Sequence, residues 1–213
     1  MRIVLCLSLV CSCIISVAQD FPDTRINNKK ESFSRMAEKD IRADISIFTI
    51  AGIDERIGKA PFKKVVPPVN FGTNYITFEG NNVKVTIKAV PFEPSKHKLL
   101  YYDKKYLTKI DGKVYYGEYG TVPRYGIESI TVTVDKDTVA IPAIAFADLY
   151  SPAFTYRDGS GTVRTHNGVY LSNDGHNIYI YMLNPETKGS YEVTWVIQDK
   201  KFLRRVVDTG LLQ

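Results

Sequence analysis

Cysteine is nearly absent from this chain: its 213 residues include three, Cys6, Cys11 and Cys13, all near the start. If that stretch is cleaved, no disulfide, thiol nucleophile or cysteine-ligated metal remains. Histidine occurs three times (His97, His166, His176), with no His-x-x-x-His or His-Glu-x-x-His spacing to suggest zinc. The Gly-x-Ser-x-Gly elbow of a serine hydrolase is also missing, and Ser160 in Gly159-Ser160-Gly161 reads as a polar turn. Beyond residue 18 no long apolar run exists. Ile141 to Ala147 comes nearest and is broken by Pro142, so the mature chain should hold no membrane span. A large excess of one charge is missing too: 28 basic against 23 acidic residues give +5. Lys29-Lys30, Lys63-Lys64, Lys104-Lys105, Lys200-Lys201 and Arg204-Arg205 are scattered, mostly near turns. That pattern suits protected strand edges and argues against nucleic acid.

What is present begins with an address. Arg2 followed by apolar Ile3 to Ala18, ending in Ser16-Val17-Ala18, has the form of a signal peptide cut before Gln19. A lipobox at Val10-Cys11-Ser12-Cys13 is the weaker reading, because Ile14-Ile15 continue the apolar run past Cys13. The expectation is an exported protein, periplasmic or extracellular. A single mainly-β domain would cover 19–213, with a loose segment over 19–30. At 195 residues (213 less 18) the mature chain can be held by its core alone.

Asn28 and Glu31 have capping-box spacing, and Phe33, Met36, Ala37 and Ile41 recur at helical intervals. One amphipathic helix is therefore predicted from about Lys29 through Ala43, covering 31–43. Ile45 to Ile50 reads as a strand. Val65-Val66-Pro67-Pro68 is extended but unfit for a central strand, since proline donates no ladder hydrogen bond. Thereafter the pattern is β. Hairpins are predicted around Gly80-Asn81, Asp111-Gly112, Asp135-Lys136-Asp137 and Asp199-Lys200-Lys201. About ten strands follow, among them Tyr75–Phe78, Val83–Ala89, Tyr106–Ile110, Lys113–Tyr116, Ile127–Val134, Asn177–Leu183, Tyr191–Gln198 and Phe202–Asp208. Short turns make the pairing antiparallel, and the spacing predicts a β-sandwich or barrel-like fold. Trp195 shares a face with Tyr191, Val193 and Ile197 and should point into the core.

Two places could carry a ligand. Tyr179 and Tyr181 share a strand face opposite Ile178, Ile180 and Met182, so they could form a ring platform for stacking on sugar or lie under the N-terminal helix as ordinary strand residues. Loops within 148–176 gather Tyr156, Asp158, His166, Asp174 and His176, which could meet at one end of a sandwich. Asp158 and Asp174, beside other oxygen-bearing side chains, are the candidate calcium ligands, although Asp, Asn, Gly and Ser also serve turn geometry. These features favour a non-catalytic binding module for a glycan, peptide or envelope protein partner. The alternatives are a secreted glycan hydrolase using paired carboxylates and a structural or assembly protein of the envelope.

Overall fold

The computed structural model describes residues 31–186 and 189–210. The predicted signal peptide, the segment 19–30 and the first residues of the predicted helix lie outside them. Two five-stranded antiparallel sheets pack face to face as a sandwich, and neither closes into a barrel. The first sheet has the order β1 (Lys64–Val66), β11 (Gly168–Leu171), β12 (Asn177–Asn184), β13 (Tyr191–Gln198), β14 (Lys201–Thr209). The second runs β2 (Pro68–Phe71), β3 (Tyr75–Gly80), β4 (Val83–Pro91), β7 (Tyr125–Val134), β8 (Asp137–Val139). Two small hairpins, β5 (Leu99–Tyr102) with β6 (Tyr106–Ile110) and β9 (Tyr156–Arg157) with β10 (Val163–Arg164), stand apart.

Residue chemistry explains the layout. The chain crosses from one sheet to the other at Pro67, and β1 and β2 are both edge strands, as the prolines require. Alternation does the rest: Val83, Val85, Ile87 and Ala89 of β4 face Ile178, Ile180, Met182, Val193, Trp195 and Ile197 in the main core. Trp195 is fully buried there, and its Nε1 donates to the Ala145 carbonyl at 2.8 Å. The β3–β4 turn falls one residue later than expected, on Asn81-Asn82, both with positive φ. Asp199-Lys200 turns β13 into β14 in the same left-handed conformation. Lys113–Tyr116 forms no strand; it makes only isolated bridges, Ile110 to Lys113 and Tyr116 to Leu149.

The N-terminal region departs further from expectation. In place of one helix over 31–43 there is a 3-10 turn, Phe33–Arg35, an extended link at Met36 and Glu38, and then α1 (Lys39–Ile45). Docking on the first sheet overrides the local helical pattern. Glu31 O accepts from Val207 N–H of β14, and Phe33 N–H donates to the Asp208 carboxylate at 3.0 Å. The predicted strand over 45–50 is the end of α1 and the turns that follow it. Ile45, Phe48 and Ala51, three apart, face the sheet, so the period there is helical. Gly52 permits this tight path, since a Cβ on it would lie 2.4 Å from Ser46 Cα.

Candidate functional site

The tyrosines of β12 stand where alternation puts them, on the outer face of the first sheet, but that face is covered. Both are buried, Tyr179 with Phe33, Met36, Ile41 and Ile45 and Tyr181 against Phe48 of the turns that follow α1. Phe48 stacks on Tyr170 at 4.3 Å and meets Tyr181 edge-on, while Phe62 lies 5.9 Å from Tyr179. The protein's own phenylalanines thus occupy the position a sugar ring would take. The hydroxyls are also engaged: Tyr179 donates to Asp44 at 2.6 Å and Tyr181 to Glu192 at 2.8 Å. Glu192 in turn accepts the N–H groups of Ile50 and Ala51, both at 2.8 Å. Burial raises the pKa of Asp44 and of Glu192, and lifts Asp208 on the same face to about 6. These carboxylates fasten the N-terminal segment to the sheet.

The loop residues do not converge. His166 precedes β11 and His176 follows it, so the whole strand lies between them. Tyr156 stacks on His166 at 4.1 Å, and that pair stays with the β9–β10 hairpin. Asp158 closes its own turn: Oδ1 accepts from Ser160 N, Ser160 Oγ and Thr162 N, and Oδ2 accepts from Arg164. The Ser160 and Arg164 hydrogen bonds hold its pKa down at about 2. Asp174 accepts from Ser172 Oγ and His176 N, and His176 pairs with Asp199 across the neighbouring turn. Asp158 and Asp174 therefore sit on separate turns with their oxygens used locally. No group of three or more His, Cys, Asp or Glu suited to a metal occurs among the described residues.

A different site emerges at the open flank of the sandwich. Segment 143–150 runs beside β14 and zips to 115–117: Tyr116 N–H donates to Asp148 O at 2.8 Å and Tyr150 N–H to Tyr116 O at 2.9 Å. Gly117 allows that approach, with φ +100 and no room for a Cβ, which would meet Tyr150 O at 2.4 Å. Between these segments and β14 lies a groove of about 850 Å3, within the usual size of a ligand site.

Its floor is charged and its rim apolar. Arg205, only 8% exposed, donates to both carboxylate oxygens of Asp148 at 2.5 and 2.8 Å, and its Nε donates to Glu31 at 3.0 Å. Its guanidinium lies 5.8 Å from the centre of the Tyr116 ring. Burial alone would lower the Arg205 pKa, but Asp148 and Glu31 outweigh it and raise it. Arg204 is paired with Glu38 on the groove's other wall. Around these stand Ile144 and Leu203, 74% and 42% exposed, with Val114 beside them.

The backbone of β14 completes the site. Val207 turns its N–H away from β13 to reach Glu31 O. Backbone groups alternate along an antiparallel strand, so Arg205, two residues earlier, also presents its N–H and C=O outward. Among the described residues nothing meets them. In the sequence Arg204-Arg205 looks like one of several scattered basic pairs. One signal was available: Arg205 shares a strand face with Val207, so an apolar Val207 implies an inward-pointing arginine.

No helix among the described residues is long and apolar enough to cross a membrane. No protein-family model matches the chain, nor does any curated protein or any solved structure.

Proposed function

We propose that this is an exported, non-catalytic binding module that takes an extended peptide segment of an envelope or extracellular protein partner in the groove beside β14. The observation carrying this reading is the outward backbone of Arg205 at the groove. A peptide can add as a further strand there, with main-chain hydrogen bonds supplying affinity and apolar side chains meeting Ile144, Leu203 and Val114. The ion pairs suit an uncharged segment, because Arg205 and Arg204 already have their carboxylates. The same pairing disfavours hydrolysis. A glycosidase acid must hold a proton beside a second, working carboxylate. Here the groove acids Asp148, Glu31 and Glu38 serve arginines, and the carboxylates with raised pKa, Asp44, Glu192 and Asp208, lie under the N-terminal segment.

Panning a displayed library of linear peptides on the protein tests this. Enrichment of sequences with apolar residues at alternate positions is expected. Replacing both Ile144 and Leu203 by Asp should weaken the best binder by at least about tenfold, while native Trp195 emission shows the variant folded. A library that yields no binder, or a binder held equally by the variant, would overturn the reading.

A further inference from the structure

The β5–β6 hairpin carries a surface that the groove does not use. Its inner side is anchored: Leu107 and Ile110 are buried with Tyr115 and Tyr150, and Leu99, Phe92 and Val122 pack against them. A bulge between Leu100 and Tyr101 resets the register, so Leu100 lies opposite Lys109 and Tyr102 opposite Tyr106. Opposite residues share a face, which places Leu100, Tyr102, Tyr106 and Lys109 on the outer side. Leu100 is 50% and Tyr106 44% exposed, a large apolar exposure for four neighbouring positions. The turn at Asp103-Lys104, both with positive φ, fixes the hairpin's shape.

Charge is concentrated on the same hairpin. From Lys96 to Lys113 there are six lysines and two aspartates, a formal +4 within a chain whose total is +5. Asp111 is engaged by His97 Nδ1 at 2.7 Å and by the Lys98 N–H at 2.8 Å. Lys96 pairs with Glu93, and Lys105 Nζ lies 5.2 Å over the Tyr106 ring. Among the described residues Lys98, Lys104, Lys109 and Lys113 make no ion pair. Unpaired Lys109 thus stands on the same face as the exposed leucine and tyrosines, with Lys104 in the turn at its tip and Lys98 just before β5.

We propose that this face docks the protein on a lipid surface bearing anionic headgroups. Tyrosine, with an apolar ring and a polar tip, settles at the headgroup level, and Leu100 can enter the acyl boundary. The lysines supply the attraction to the anionic leaflet, each adding to affinity within a Debye length of the surface. An acidic polysaccharide would share the charge complementarity but suits the face less well. Sugar recognition usually adds carboxylate or amide side chains beside the ring, and the outer-face positions Leu100, Tyr102, Tyr106 and Lys109 carry neither. Thr108, at the bulge of β6, already donates its hydroxyl to Leu100 O.

Co-sedimentation of the chain beginning at Gln19 with lipid vesicles tests the proposal; every element described above lies beyond that residue. Binding is expected on phosphatidylcholine vesicles containing phosphatidylglycerol, falling as salt is raised, and not on phosphatidylcholine alone. Replacing Lys104 and Lys109 together by Glu should lower the partition by at least about tenfold. Replacing Leu100 and Tyr106 together by Ser should lower it several-fold and leave the salt dependence in place. Trp195 emission, from a separate core, reports folding of each variant, and Lys109→Glu alone serves if a double variant fails. Equal partition on both vesicles, no partition on either, indifference to these substitutions, or retention by alginate with none by vesicles would each overturn it.

Discussion

Trp195 and Arg205 are directly opposite on β13 and β14, and they show what one position can decide. Replacing Trp195 by Ala removes the largest side chain in the core and orphans the Ala145 carbonyl. A loss of about 3–5 kcal/mol in urea unfolding is expected, with native emission that is blue-shifted in the wild type. Removing Arg205 leaves Asp148 and Glu31 facing one another without a cation. Arg205→Ala should cost a comparable amount, about 3–5 kcal/mol, because a nearly buried ion network is broken rather than replaced. Trp195 was legible in the sequence because alternation over 191–197 is regular. Arg205 was legible only from its C-terminal side, through Val207, because a register shift at Val196/Ile197 interrupts alternation just ahead of it. A third residue sets a pH dependence. Asp208 has its pKa raised by burial to about 6, above that of an unfolded aspartate, so between about pH 4 and 6 the folded state binds more protons. Stability from this group therefore increases as pH falls through that window and declines as pH rises. Urea midpoints compared between wild type and Asp208→Asn should show a smaller gain on acidification in the variant; identical gains would contradict the assignment.

At the scale of elements, the N-terminal segment turns an ordinary half-exposed sheet into one buried on both faces. That is why β12 and β13 are buried at nearly every position although their sequences alternate. The face of the tyrosine pair is legible in the sequence, and of its two readings, a sugar platform or a surface under the N-terminal helix, the structure shows the covered one. Alternation specifies a face, whereas covering depends on a segment more than a hundred residues away, which no local pattern reports. The helix shows the converse: its apolar spacing was visible, but the sheet to which it had to conform was not. Glu192 is the fastening most open to test. Glu192→Ala leaves the Ile50 and Ala51 N–H groups and the Tyr181 hydroxyl without their acceptor, at about 1–3 kcal/mol for each group that stays buried. Amide exchange at Ile50 and Ala51 should quicken by at least about tenfold, while β4 and β7 change only with global stability. Unchanged exchange at both amides would show that the carboxylate does not hold this segment.

The molecule as a whole is a sandwich whose hairpins were legible and whose strand order was not. Turn pairs such as Asp199-Lys200 announce neighbours in sequence. The pairings of β1 with β11 and of β4 with β7 join distant segments and leave no local mark. The same limit applied to the site. Asp158, His166, Asp174 and His176 lie close along the chain, yet β11 holds the two histidines a strand length apart. The groove is assembled from residues near 31, 114, 148 and 205, which only the tertiary fold brings together. Export is the property argued most directly from sequence. Intact-mass analysis of protein recovered from its host should give a chain starting at Gln19; a mass that includes residues 1–18, or a lipid on Cys13, would refute it.

The binding account turns on one backbone position. Amide exchange should be followed residue by residue, with and without a peptide selected on the protein. Arg205 N–H is expected to exchange freely in the unliganded protein and to become protected on binding, together with amides lining 113–116 and 144–148. An Arg205 amide already protected without peptide, or protection appearing elsewhere while β14 is unchanged, would contradict the account.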